Sequence, residues 1–249
     1  MKLIKILLFK ILKVKTYLSI VSKIYICIIN LGIGKKSYSE IYFLKKIIKK
    51  DDVCIDIGAN LGYYSYFLSK YSGRNGHLYA IEPVDLFAEI WKRNMKKSKY
   101  KNYTLYQYAL GDTEKTVKMG TPVINGVFHH GMTKILENNT DENLRMQTDV
   151  EMRNPDVLFE NIKKIDFIKA DAEGYEHIIF KNMHNTLVKH KPAVIQTELS
   201  GEDNRKKVID FLSGLSYNPH ILINGKLCPA SKDDMQNHNN DFYFILTEL

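Results

Sequence analysis

The stretch Val53-Cys54-Ile55-Asp56-Ile57-Gly58-Ala59-Asn60-Leu61-Gly62-Tyr63 constrains the fold of this chain more than any other. The short apolar run from Val53 to Ile57 predicts a buried strand. Gly58 and Gly62 bracket a tight turn, and Tyr63 to Lys70 predicts the first turns of a helix. Strand, glycine turn and helix together let backbone N–H groups approach a ligand closely. The spacing is G-x-x-x-G, whereas a dinucleotide fingerprint needs G-x-G-x-x-G. Asp56, placed by this reading inside the turn, would repel a pyrophosphate, so a phosphate cradle is disfavoured.

A carboxylate in that position suits a cation, such as the sulfonium and amino group of S-adenosylmethionine (SAM). Asp56-Ile57-Gly58-Ala59-Asn60-Leu61-Gly62 resembles the first motif of the FkbM family of class I methyltransferases, D-I-G-A-N-x-G. Asn60 stands where many methyltransferases have a middle glycine, and asparagine tolerates left-handed backbone angles better than most residues. The resemblance implies that Asp56, Gly58, Ala59, Asn60, Gly62 and Tyr63 hold the cofactor SAM, with Gly58 leaving space for its methionine end. The alternative, an ordinary strand-turn-helix without a ligand, stays open on this motif alone.

Further residues extend the resemblance. His77 to Ile81 predicts a second strand ending at Glu82-Pro83. An acid roughly 20 residues past the glycine loop is placed to accept hydrogen bonds from ribose hydroxyls, and E-P also follows the family's second strand. Tyr103 to Tyr108 predicts a third strand, followed by Ala109-Leu110-Gly111-Asp112. This resembles the family's A-L-G-D, which implies that Ala109 lies beside the adenine. A fourth strand, Ile165 to Ala170, leads into Asp171-Ala172-Glu173-Gly174-Tyr175-Glu176. Ile165, Asp166, Lys169, Asp171, Glu173, Gly174 and Glu176 all fit the family's I-D-x-x-K-x-D-x-E-G-x-E.

Asp171 and Glu173 therefore stand at the carboxyl end of a central strand, where open α/β sheets place ligands and chemistry. Asp171 is the first candidate for the base that deprotonates an acceptor hydroxyl, and it also touches the cofactor; Glu173 is the second. Two carboxylates so close could instead hold a divalent ion such as Mg²⁺, although no complete ligand set is legible. Glu176 reads as a cap of the following helix.

Thr113 to Asn154 shows poor periodicity and reads as an insertion for substrate recognition, a lid or binding loop. Asn125-Gly126 between apolar residues predicts a hairpin. His129 and His130 are alternative general bases. Past the fourth strand, a helix runs from Glu176 to Lys191 and a strand from Ala193 to Thr197, with Glu198 facing the site. A helix over 204–215 and strands over 220–224 and 242–247 follow, with 225–240 a polar connection.

The net charge of +8 is localised: the first 50 residues hold twelve lysines against Glu40, a net +11, which leaves −3 for the rest. A nucleic-acid partner is therefore not expected, since that would need a basic working face. Residues 1–36 form a basic helical extension on which Leu3, Ile4, Leu7, Ile11, Val14 and Leu18 share one face. Either that face packs on the protein or a partner subunit, or it lies on an anionic membrane surface. No apolar stretch approaches the ~20 residues of a membrane span, and no signal-peptide cleavage site is evident. Cys27, Cys54 and Cys228 have no paired spacing, which suits a cytosolic location, peripheral at the inner membrane face in the second reading. The N-x-T sequences at Asn102 and Asn138 read as chance matches.

The expectation is an α/β Rossmann-like class I methyltransferase: residues 37–249 as the SAM-dependent domain, with 113–154 inserted. Its seven-stranded, mostly parallel sheet ends in an antiparallel last strand. The implied activity is O-methylation of a small-molecule acceptor, a sugar, glycan or natural-product hydroxyl, in an assembly of unknown oligomeric state. A non-catalytic SAM-binding scaffold and a nucleotide-sugar or NAD-binding enzyme are the alternatives.

Overall fold

The computed structural model describes residues 9, 12–124, 127–136 and 144–247. Strand β1 (Val53–Ile57) occupies the middle of the main sheet. Its residues from Cys54 to Ile57 are all buried, because strands of a parallel sheet are covered on both faces. Helix α3 (Tyr63–Ser72), strand β2 (His77–Ile81), helix α4 (Asp85–Met95) and strand β3 (Tyr103–Tyr106) follow. Before β1 come helices α1 (Val14–Asn30) and α2 (Ser39–Ile47).

After β3 the chain leaves the main sheet. Strands β4 (Ala109–Leu110), β5 (Lys115–Ile124), β6 (Val127–Phe128), β7 (Lys134–Ile135) and β8 (Leu144–Arg153) build a second sheet. This corrects the expected loop: β5 and β8 pair antiparallel over their length, with an irregularity at Thr121/Pro122. Residues 146–152 of β8 alternate between covered and exposed, as in a sheet with one solvated face, while the pattern in β5 is irregular. Val123 pairs with Phe128 and Ile124 with Val127, as the hairpin expectation requires, while Asn125 and Gly126 lie outside the described residues.

The chain returns through helix α5 (Pro155–Leu158), strand β9 (Phe167–Ala170), helices α6 (Glu176–Lys181) and α7 (His184–His190), and strand β10 (Val194–Glu198). Helix α8 (Glu202–Gly214), strands β11 (Tyr217–Ile223) and β12 (Lys226–Pro229), helix α9 (Lys232–Asn237) and strand β13 (Asp241–Leu246) complete it. The sheet order is β12-β11-β13-β10-β9-β1-β2-β3. Strands β1, β2, β3, β9 and β10 run parallel, and β13 is antiparallel to β10 and β11. The expected seven strands are present; the eighth, β12, lies with α9 in the stretch read as a polar connection. Asp234 and Ser231 form a capping box that starts α9 there. The helix expected over 176–191 is broken into α6 and α7 at Asn182 and Met183.

Strand order reverses between β1 and β9, and a ligand crevice belongs at the carboxyl ends of strands flanking such a switch. The described part of the N-terminal extension packs on the domain: Tyr17, Leu18 and Val21 of α1 join Leu61, Phe87, Ile90 and Phe128 in one buried cluster. Leu3, Ile4, Leu7 and Ile11, expected on the same face, lie outside the described residues, as does Asn138.

Candidate active site

The turn after β1 is locked to β2. Gly58 and Ala59 both donate their N–H to the Ile81 carbonyl, at 3.1 and 2.9 Å, and Asn60 donates its N–H to Glu82 Oε2 at 2.8 Å. Gly58 has φ +73° and no room for a side chain, since an added Cβ would lie 1.9 Å from the Asp171 carbonyl oxygen. The space beside Gly58 is thus taken by the β9 loop, which corrects the expectation that it is reserved for the methionine end. Gly62 (φ +88°) lets α3 approach α4, where an added Cβ would meet Trp91 Cδ1 at 2.9 Å.

A cleft opens above this turn. Gly58, Asn60, Glu82, Ala109, Asp171, Glu173 and His130 line it, so the structure brings these expected residues together. Apolar walls come from Ile81, Pro83, Phe87 and Leu110. The second sheet adds Met119 and Ile135, which no pattern in the sequence marks as site residues.

Asp56, Ala59, Gly62 and Tyr63 do not line the cleft. Asp56 lies within β1 rather than in the turn, fully buried, and accepts a 2.5 Å hydrogen bond from Ser65 Oγ. Ser65 in turn accepts from Trp91 Nε1 at 2.7 Å. Burial raises the Asp56 carboxyl above the usual range. It anchors α3 and α4 to the strand instead of meeting a ligand's cation. Tyr63 turns its ring toward Tyr25 and His130.

Glu82 is clamped at both oxygens, Oε1 accepting from Val84 N at 2.9 Å and Oε2 from Asn60 N. Burial pushes its carboxyl up to about 7, against those two hydrogen bonds. Each oxygen retains a lone pair, so the group can still accept from a diol in the cleft.

Lys169 is the charge beneath the β9 loop. Its Nζ lies 3.1 Å from Asp171 Oδ2 and 4.9 Å from the Tyr64 ring centre, and its side chain is 4% exposed. Burial alone would lower its pKa; the carboxylates of Asp171 and Asp56 override burial and raise it. Asp56, Lys169, Gln196 and Tyr243 are register partners across β1, β9, β10 and β13, so they form one buried polar row on one face of the sheet. Above it, Glu198 at the end of β10 pairs with Asp241 at the start of β13. Asp241 is raised to about 7, first by burial and then by Glu198, Glu40 and Asp171 against Lys169. Lys169 and Asp241 escaped the sequence reading of the site because a residue's partners on four strands are not encoded locally.

Glu173 holds a left-handed backbone (φ +52°) on the tight loop after Asp171. That conformation is uncommon for a non-glycine residue and recurs at functional sites. Burial, then the charges of Asp171, Glu198 and Glu176, push its carboxyl up to about 8. Glu176 accepts from Ala172 N at 2.6 Å, Gly174 N and Asn204 Nδ2, so it shapes this loop as well as starting α6.

His130 reaches the glycine turn: its carbonyl accepts from Asn60 Nδ2 at 3.0 Å, and its Nδ1 lies 2.9 Å from Asn60 Oδ1. This ties the second sheet to the turn. His129 is adjacent in sequence but off the cleft lining. Among the described residues, no group of three or more His, Cys, Asp or Glu side chains is arranged to hold a metal ion.

A parallel sheet with a carboxyl-end cleft at its switch point, a glycine turn below it and an acid closing the second strand defines a Rossmann-like class I methyltransferase. Residues 56–223 match the methyltransferase FkbM domain, more than half of the chain's 249 residues, and the chain belongs to that family of SAM-dependent enzymes. A protein-L-isoaspartate O-methyltransferase of Methanosarcina mazei is 39% identical over 51 residues, which cover 20% of this chain and 21% of that protein. Among solved structures, the precorrin-6y C5,15-methyltransferase of Geobacter metallireducens aligns with a TM-score of 0.46 at 17% identity, over 86% of this chain and 90% of that one. Aeropyrum pernix fibrillarin with natively bound SAM gives 0.45 at 11%, over 80% and 67%. At TM-scores below 0.5 neither likeness bears on the activity.

The residues present fit SAM: Glu82 offers acceptors for a ribose diol, and Ile81, Pro83, Ala109 and Leu110 offer apolar walls for an adenine. Among the described residues no helix is long and apolar enough to cross a membrane.

Proposed function

We propose that this enzyme methylates a hydroxyl oxygen of a polyhydroxylated acceptor, a sugar, glycan or natural-product scaffold. When bound, SAM supplies the electrophilic methyl group. The observation that carries the reading is the placing of two carboxyls in one cleft, Asp171 ion-paired to Lys169 and Glu173 with a raised proton affinity. Asp171 is held by Lys169 through a 3.1 Å ion pair, which fixes the direction of its carboxylate. Glu173, pushed up to about 8, has the proton affinity a base needs near neutral pH. We therefore assign proton removal to Glu173, and orientation of the acceptor hydroxyl to Asp171. Holding that hydroxyl in line with the methyl donor is a proximity effect, which supplies much of the rate.

The carboxyls lining the cleft, Asp171 and Glu173, with Glu198 near enough to act on Glu173, disfavour phosphorylated acceptors and nucleic acid, whose charge they would repel. They favour neutral polyols, whose hydroxyls donate to carboxylates. His129, off the cleft, is not assigned a step. His130 is assigned to holding the Asn60 turn. A mass-spectrometric screen of hydroxylated acceptors with isotope-labelled SAM tests the proposal. Transfer to an oxygen of a neutral polyol is expected; transfer only to nitrogen, carbon or a phosphorylated acceptor would overturn it. Activity that survives a chelator is expected on this assignment, and loss restored by Mg²⁺ would instead make the carboxylates metal ligands.

A further inference from the structure

Helix α1 is apolar both where it is buried and where it is exposed. Tyr17, Leu18 and Val21 face inward and are buried. Ile24 and Cys27, further along the helix, are exposed, and Leu31 continues that stripe past its end. The chain then turns through Gly32 at φ +76° and presents Ile33. Exposure is 46% for Ile24, 68% for Leu31 and 55% for Ile33, three of the largest apolar exposures among the described residues. The turn is not loose: Tyr42 Oη of α2 lies 2.9 Å from the carbonyls of both Ile29 and Ile33. A fixed turn thus holds its apolar side chains out in water, which calls for something to cover them.

Basic residues surround this stripe. Lys23 lies beside Ile24, and Lys35 and Lys36 follow Ile33, all exposed. Lys35, Lys36 and Lys46 also line a groove of about 460 Å³ between α2 and the turn joining β11 to β12. Lys46 Nζ closes the groove by donating to the Gly225 carbonyl at 2.8 Å. Ile223, 46% exposed, stands next to Asn224 on the groove's far wall.

We infer that this face, formed by the exposed part of α1, the turn 31–36 and the start of α2, docks on an anionic lipid surface. Ile24, Leu31 and Ile33 would enter the headgroup boundary while Lys23, Lys35 and Lys36 meet lipid phosphates. An apolar stripe flanked by lysines is the pattern of an interfacial element. Protein–protein interfaces are instead depleted in lysine, which disfavours a protein partner here. Leu18 takes no part in the docking face, because it is sealed in the domain. The inference stands independently of the acceptor assignment.

Sedimentation of the full chain with vesicles tests it. Binding to vesicles containing phosphatidylglycerol is expected, with little to pure phosphatidylcholine, and it should weaken as salt rises from about 0.1 to 0.5 M. The pair Lys35→Gln and Lys36→Gln should weaken binding about 30-fold, at about 1 kcal/mol per lysine near the surface. The triple Ile24→Gln, Leu31→Gln and Ile33→Gln should weaken it about 100-fold or more. These side chains are exposed, so Trp91 emission and the urea midpoint should match the parent. As a second readout, Leu31→Trp should shift its emission to the blue on adding anionic vesicles. Absence of vesicle binding by the parent, parent-like binding of both variants, or no blue shift would each overturn the inference. So would a vesicle-free dimer that the apolar triple converts to monomer, which would place a second copy on this face.

Discussion

Replacing Lys169 by methionine would test the polar row directly. Methionine keeps the length of the side chain and removes its charge. Lys169 Nζ sits 3.1 Å from Asp171 Oδ2, is nearly excluded from water, and is the cation that counters Asp56, Glu173, Glu198 and Asp241. Removing one partner of a buried pair typically costs about 3–5 kcal/mol, because the other charge is left uncompensated. In the parent, Lys169 has a raised folded pKa, so its contribution is fully present below its unfolded pKa and throughout the neutral range. In the variant the neighbouring carboxyls rise further. Its deficit should therefore be largest near pH 8, where those groups would be ionised, and shrink toward pH 5, where they can protonate. Urea unfolding followed through Trp91, the single tryptophan and a buried one, gives the difference at each pH. A deficit below about 1 kcal/mol, or one constant from pH 5 to 8, would refute the reasoning.

Further outcomes follow from the same geometry. Gly58→Ala should lower SAM affinity at least about 10-fold in calorimetry and cost about 2 kcal/mol or more of stability, through its clash with the Asp171 carbonyl and its positive φ. Glu173→Gln should keep SAM affinity within a few-fold and reduce turnover about 10²–10⁴-fold, whereas Asp171→Asn should reduce it less; the reverse order would return the base to Asp171. Because Glu173 must lose its proton to act, turnover in the parent should climb through about pH 8 and flatten above it, in a pH–rate profile with the acceptor saturating. Glu82 is raised to about 7, so its ionised form destabilises the fold increasingly above its unfolded value near 4.5, with the full penalty reached above 7. Glu82→Gln should therefore gain urea resistance relative to the parent as pH rises from about 5 to 8 while losing SAM affinity.

The sequence alone determined the parts that depend on neighbours along the chain. Val53–Ile57, the glycine turn and the helix after it were legible because a strand, a left-handed turn and a helix start are set by consecutive residues. Glu82 and the Asp171–Glu173 pair were legible for the same reason: each closes a strand, and strand ends fix the carboxyl edge of the sheet. The structure alone decided where side chains point. Asp56, read in the turn, proved to be a buried anchor for Ser65, since alternation along β1 turns it toward α3. The sheet formed by β5 and β8 was hidden because its pairing joins residues some thirty positions apart. Lys169 carried a family pattern but no visible role until β1, β9, β10 and β13 set Asp56, Gln196 and Tyr243 beside it. The apolar residues of α1 look alike in sequence, and only packing on the domain decides that Tyr17, Leu18 and Val21 are buried while Ile24 is left to the solvent.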